Sequence, residues 1–103
     1  MTISDEDILL AAKAAGITPG TVTINGVTTY TWKPWEDNCD AFRLQVALQR
    51  YGLEIIIDSG CNVSIGAFLD CDTYEDFEGK LDALVATRLA IFRAAVLIGR
   101  SMP

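Results

Sequence analysis

The stretch YTWKPWEDNCDAFRL, residues 30–44, joins two parts of the chain that follow different patterns. Before it, residues 21–32 are rich in threonine, valine and isoleucine, and after it apolar residues recur at helical spacing. Pro34 sets a bend and biases Lys33 toward extended geometry, while Asp37 or Asn38 can cap a following helix. The stretch therefore predicts a turn from a strand into a capped helix. We call residues 30–40 the Trp-Pro corner.

Ahead of the corner, the chain predicts a short helix and a hairpin. Ser4 and the acids after it are a helix start, and Gly16 is a stop after Ala15. Asn25-Gly26 between two β-rich runs is the strongest short hairpin signal. This turn places Val22, Ile24 and Val27 on one face of the hairpin, and the opposite face carries Tyr30 and Trp32 among Thr21, Thr23 and Thr28.

Beyond the corner, the pattern predicts a helix over residues 40–51 that ends before Gly52. A second hairpin follows; if Ser59-Gly60 is its two-residue turn, Ile56 pairs with Val63 and both faces of the sheet are apolar. Residues 70–78 are predicted as an acidic loop. Residues 80–100 are predicted as a long helix, and its apolar residues cover more than one stripe, so we expect it to be largely buried.

These elements give the order α-β-β-α-β-β-α in a single domain of residues 1–103. We predict an α/β fold of the α+β type, with a mostly antiparallel four-stranded sheet. Two apolar sheet faces need two covers, which favours a three-layer sandwich with helices on both sides. The alternative is a two-layer fold in which one sheet face meets a second subunit.

Charge and composition exclude several classes of protein. Eight Lys and Arg against fourteen Asp and Glu give a net charge of −6, which disfavours nucleic-acid binding and is compatible with a basic partner surface. No apolar run is long enough to cross a bilayer, and the acidic N-terminus does not resemble a signal peptide. Three cysteines without a CxxC spacing indicate reduced thiols. We therefore predict a cytoplasmic protein without a structural disulfide.

The sequence lacks the usual catalytic groups. It has no histidine, no GxxxxGK[ST] and no GxGxxG, which removes imidazole catalysis, imidazole metal sites and the common nucleotide loops. The loop at residues 70–78 resembles a calcium site only superficially, because Glu75 and Leu81 replace the required Gly and Glu. Cys39 lies at a predicted helix start between two acids. We predict a protein that is not an enzyme and holds no cofactor or metal.

Three segments resemble small phage and prophage proteins of unknown function that are grouped with the phage ABA sandwich domain family. The corner and its helix, WKPWEDNCDAFRLQVAL at residues 32–48, resemble that family's W-x-P-L-x-D-D-G-D-A-x-R-L-x-V-x-L segment. The ending ATRLAIFRAAVLIGRSM (residues 86–102) and the opening DILLAAKAAGI (residues 7–17) are also similar to the family's, in matching order. Together the segments cover a little under half of the chain.

The resemblance implies a phage context but no catalytic role for any residue. Two positions depart from the family pattern, since Trp35 stands where leucine is usual and Cys39 where glycine is usual. The residues that match the family pattern are Trp32, Pro34, Asp37, Asp40, Ala41, Arg43, Leu44, Arg88, Arg93 and Gly99.

From these observations we expect a phage or prophage accessory protein that acts by binding, with inhibition of a host defence component as the preferred function. Alternatives are a module that binds a small, nucleotide-like anion in a pocket of Trp32, Tyr30 and Arg88, a carboxylate enzyme using Mg²⁺, and a structural homodimer. The corner itself has a scaffold interpretation, in which Arg88 or Arg93 pairs with Asp37 or Asp40. The candidate residues for partner or ligand contact are Tyr30, Trp32, Trp35, Asp37, Asp40 and Arg88.

Overall fold

The computed structural model describes residues 3–57, 60–65, 71–76 and 83–103, with side chains for residues 3–55 and 84–103. They form a small α+β fold of three α-helices, one 3₁₀ turn and five strands. In chain order these are α1 (Asp5–Ala15), β1 (Thr21–Ile24), β2 (Val27–Tyr30), α2 (Asn38–Leu48), the 3₁₀ turn (Gln49–Tyr51), β3 (Leu53–Ile57), β4 (Gly60–Ile65), β5 (Cys71–Asp76) and α3 (Ala83–Ser101).

The predicted boundaries of α1 are confirmed. The Ser4 hydroxyl accepts a hydrogen bond from the N–H of Asp7 at 3.1 Å, which satisfies a free donor of the first turn. Gly16 ends the helix in the left-handed region at φ 73°. Beyond that end, Arg50 Nη2 donates to the carbonyl of Ala15 at 2.9 Å. The C-terminus of α1 is thereby attached to the 3₁₀ turn that follows α2.

The strands form two sheets, so the predicted four-stranded sheet is wrong. Among the described strands, β1 and β2 pair only with each other, around the left-handed Asn25 (φ 52°) and Gly26 (φ 78°) that were predicted as the turn. The second sheet is antiparallel, with the order β3-β4-β5. The predicted second hairpin therefore gains its third strand from residues 71–76 rather than from the first hairpin.

Two local predictions in the second sheet are also wrong. Val63 pairs with Ile55, one residue away from the partner Ile56 that a Ser59-Gly60 turn would give; Ser59 itself lies outside the described residues. Residues 71–76, predicted as part of an acidic loop, form β5 along β4. Pairing to an existing strand overrides the low strand propensity of acidic residues, since propensity in sheets depends strongly on context.

Helix α3 is the centre of the fold. It contacts α1 and α2, and it also contacts β4 and β5 of the second sheet. The predicted three-layer sandwich is wrong, because the three helices pack on one another and α3 carries the sheet. The predicted burial of α3 is confirmed for most of its apolar residues, and those that are buried are Ala86, Leu89, Ala90, Ile91, Phe92, Ala94, Ala95, Val96 and Ile98.

Small residues allow α1 and α3 to cross closely. Ala11, Ala14, Ala94 and Ala95 are fully buried in the core. A Cβ added at Gly99 would lie 1.9 Å from the carbonyl oxygen of α1 that faces it. Glycine is therefore required at this crossing for steric reasons.

Candidate functional site

The Trp-Pro corner is a single helical turn that continues into a capped helix. The carbonyl of Lys33 accepts hydrogen bonds from the N–H groups of Glu36 at 3.0 Å and Asp37 at 2.8 Å. Asp37 caps α2 by accepting from the N–H of Asp40 at 2.8 Å, as predicted. Asp40 in turn accepts from the N–H of Lys33 through Oδ2 at 3.0 Å. Both predicted acids therefore hold the shape of the corner.

Helix α3 fixes the corner from beneath. Pro34 is buried, and the ring of Trp35 meets Phe92 edge-on, with centroids 5.1 Å apart and planes at 65°. Arg88 Nε donates to the carbonyl of Trp35 at 3.2 Å, and its Nη1 donates to Asn38 Oδ1 at 2.6 Å. The guanidinium thus satisfies two acceptors on either side of the Asp37 cap.

The predicted link between the last helix and the corner exists, but its acceptors differ from those expected. We expected Arg88 or Arg93 to pair with the carboxylates of Asp37 or Asp40. Arg88 instead donates to a main-chain carbonyl and a side-chain amide, and the two carboxylates accept backbone N–H groups. The corner is thus held by two carboxylates that accept backbone N–H groups and by Arg88, which donates to two neutral acceptors.

A small open pocket lies on the other side of the corner, against Trp32. It has a volume of about 220 Å³. The C-terminal end of α1 forms one wall and α2 forms another, and the indole of Trp32 is partly buried between them. The lining is mostly apolar with one acid and one base: Ala15, Ile17, Trp32, Asp40, Arg43, Leu44 and Ala47.

A second, wider groove of about 370 Å³ separates α2 from α3. Arg88 lines this groove together with Phe42, Leu84 and neighbours on both helices. Trp32 and Arg88 therefore line different cavities. Neither of these two cavities brings Trp32, Tyr30 and Arg88 together, and Tyr30 packs at the margin of the core.

The sequence prediction missed Arg43 and Ala47 as pocket residues. Asp40, Arg43 and Ala47 are spaced three and four residues apart, which places them on one face of α2. This spacing could have identified both residues once Asp40 had been chosen. Ile17 was not foreseeable in the same way, because it reaches the pocket through the crossing of α1 and α2.

Among the described residues, no three Cys, Asp or Glu side chains are grouped so that they could hold a metal ion. Cys39 is a free, exposed thiol in the first turn of α2. The calcium-like loop lies outside the residues whose side chains are described. In the part of the chain that was searched, no helix has both the length and the hydropathy needed to cross a membrane.

Comparison with family models, curated proteins and solved structures found no match for this chain.

Proposed function

We propose that this chain is a non-enzymatic phage or prophage accessory protein that acts by binding a protein partner in the host cytoplasm. The observation that carries the proposal is the pocket beside Trp32, which is bordered by Asp40, a side chain that also bonds to the backbone of the corner. The phage context is supported by the sequence resemblance alone. Its small size and its lack of common catalytic motifs favour occlusion of a host defence component as the biological effect.

The size of the pocket favours one inserted side chain over a whole small molecule. Its volume of about 220 Å³ lies below the roughly 300–1,000 Å³ that is typical of small-molecule sites. Protein interfaces commonly place one anchoring side chain in a pocket of this kind. A nucleotide-like ligand is correspondingly disfavoured.

The chemistry of the pocket favours a basic side chain, either lysine or arginine. Such side chains combine an apolar stem, which suits the alanine and leucine walls, with a cation that is attracted to an indole face and a carboxylate. Asp40 is fixed by its hydrogen bond to the N–H of Lys33, whereas Arg43 is exposed on a long chain that can move aside. The net charge of −6 also attracts a basic partner surface.

Affinity capture with a blocked pocket tests this proposal. Ala47→Leu places a larger side chain in the pocket at a helical position that tolerates leucine. Val46→Leu is the matched control, since Val46 is exposed on α2 and does not line the pocket. We expect a host protein to be retained from infected-cell lysate by the wild type and by Val46→Leu, and to be lost with Ala47→Leu. Equal retention by all three proteins would refute the pocket as the contact site.

A thermal-shift screen separates the protein-binding function from the ligand-binding alternative. A ligand that binds only the folded chain raises the melting temperature by mass action. We expect no stabilisation by nucleotides at millimolar concentration. A nucleotide that raised the melting temperature of the wild type, but not that of Ala47→Leu, would replace the proposal with a ligand-binding function.

A further inference from the structure

The β1–β2 hairpin is a two-stranded sheet with both outer edges free of a third strand among the described residues. Seven of its eight strand residues are exposed, and only Tyr30 at its end is partly buried. An isolated hairpin of this kind is marginally stable in water unless further strands or a helix cover it. The backbone groups on the outer edges of the hairpin are therefore available for pairing with another strand.

The register shows which backbone groups are available for pairing. The N–H of Thr31 donates to the carbonyl of Gly20 at 2.9 Å, and hydrogen-bonded pairs alternate from there along an antiparallel ladder. Thr23 and Thr28 form a pair without backbone hydrogen bonds between them. Side chains lie close together in such pairs, and the two hydroxyls are 2.9 Å apart. The outward N–H and C=O groups accordingly belong to Thr21, Thr23, Thr28 and Tyr30.

The hairpin also lacks the features that usually protect a free edge. Natural edge strands carry charged residues, proline or bulges that prevent pairing with other chains. No charged residue occurs between Lys13 and Lys33, and no proline lies within either strand. The pairing of β1 with β2 is regular from end to end. One face adds three exposed apolar side chains, Val22 at 41%, Ile24 at 65% and Val27 at 62%.

We propose that this hairpin pairs with the hairpin of a second copy of the chain, edge to edge, to form a four-stranded antiparallel sheet. Two copies of a chain with a charge of −6 repel each other, and the uncharged hairpin is a surface on which they can meet without opposed like charges. A basic partner would be attracted to acidic residues, and the hairpin has none. Two-fold pairing of identical edges needs no such charges, because the same groups meet on both sides.

This dimer is independent of the Trp32 pocket, so either proposal can fail alone. Light scattering after size-exclusion chromatography, from micromolar to submillimolar chain concentration, measures it directly. We expect the mass to rise from 11.2 kDa toward twice that value with concentration. A mass that stays at 11.2 kDa throughout the range would overturn the proposal and would leave a foreign strand as the remaining partner for this edge.

Proline substitutions identify the pairing edge. Thr23→Pro removes an outward N–H from β1 and Thr28→Pro removes one from β2. Each also removes the exposed hydroxyl contact between Thr23 and Thr28, but neither removes a backbone hydrogen bond within the hairpin. Thr29→Pro removes a backbone hydrogen bond within the hairpin. Its circular dichroism spectrum serves as the reference for a chain that has lost the hairpin. We expect either Thr23→Pro or Thr28→Pro to abolish the mass increase while the wild-type spectrum is retained. If both variants and their double mutant associate as the wild type does, edge pairing is wrong.

If a proline variant shows the spectrum of Thr29→Pro, amide hydrogen exchange of the wild type decides instead. Outward amides on one strand should exchange more slowly at high than at low concentration. Unchanged exchange at all four outward positions would equally overturn the proposal.

Discussion

Replacing Gly99 with alanine tests the close crossing of α1 and α3 on which the fold depends. An added Cβ would lie 1.9 Å from the carbonyl oxygen of Leu10 and 2.6 Å from its carbonyl carbon. Real Cβ contacts stay beyond 3.0 Å. Because the obstacle is main chain rather than a flexible side chain, the two helices must move apart by about 1 Å or more, and the packing around them must change with them.

The magnitude follows from two opposing contributions. Overpacking of a tight interior typically costs 1–3 kcal/mol, and a clash with backbone belongs at about the upper end of that range. Alanine recovers at most about 1 kcal/mol, because it is a better helix former than glycine. We therefore expect the free energy of unfolding to fall by about 2 kcal/mol. For a domain of this size that corresponds to a melting temperature lower by roughly 8–16 °C.

Urea denaturation followed by tryptophan fluorescence is a suitable assay, since both indoles pack against the core. Ser101→Ala is the matched control, because it lies two residues further along α3 and removes only an exposed hydroxyl that bonds within its own helix. The control should lie within about 0.5 kcal/mol of the wild type. A Gly99→Ala variant as stable as the control would show that α1 and α3 do not cross as described.

Two further substitutions test the corner by urea denaturation. Arg88→Met should lower the free energy of unfolding by about 1–3 kcal/mol, because it leaves two acceptors of the corner without their donor; Arg100→Met, which removes an exposed ion pair of 3.7 Å, should cost less than about 1 kcal/mol. Equal effects of the two would contradict the role of Arg88. Asp37→Ala should lower the free energy of unfolding by about 1 kcal/mol through loss of the α2 cap, whereas Glu36→Ala beside it should be nearly neutral. A larger loss with Glu36→Ala than with Asp37→Ala would show that Asp37 is not the cap.

Local chemistry made much of the fold predictable. The caps at Ser4 and Asp37, the stop at Gly16 and the turn at Asn25-Gly26 each depend on a few neighbouring residues, and all four lie where the sequence placed them. The assembly of the sheets could not be predicted in this way. The order of the strands depends on pairing between separate segments, and so does the register of β3 on β4, which is shifted by one residue from the predicted one. Local patterns carry little information about such pairing.

The candidate site was likewise predictable only where it depends on neighbouring residues in the sequence. The bend at Pro34 and the cap that follows it were readable from the corner sequence, because proline geometry and capping are local. The positions of the two tryptophans relative to the core were not readable. Trp35, one of the six candidate contact residues, packs against Phe92, whereas Trp32 borders an open pocket. That difference arises from where α1 and α3 cross α2, and a contact role for Trp35 stays a prediction.

The most direct test of the binding function is an NMR titration that follows the indole N–H of Trp32. The probes are the acetylated amides of arginine, lysine, norleucine and glutamate. The proposal predicts that the two cations shift the Trp32 signal, that norleucine and glutamate do not, and that Ala47→Leu abolishes the shift while the Trp35 signal stays still. A Trp32 signal that ignores the cations, or that responds to glutamate instead, would contradict the proposed pocket for a basic side chain.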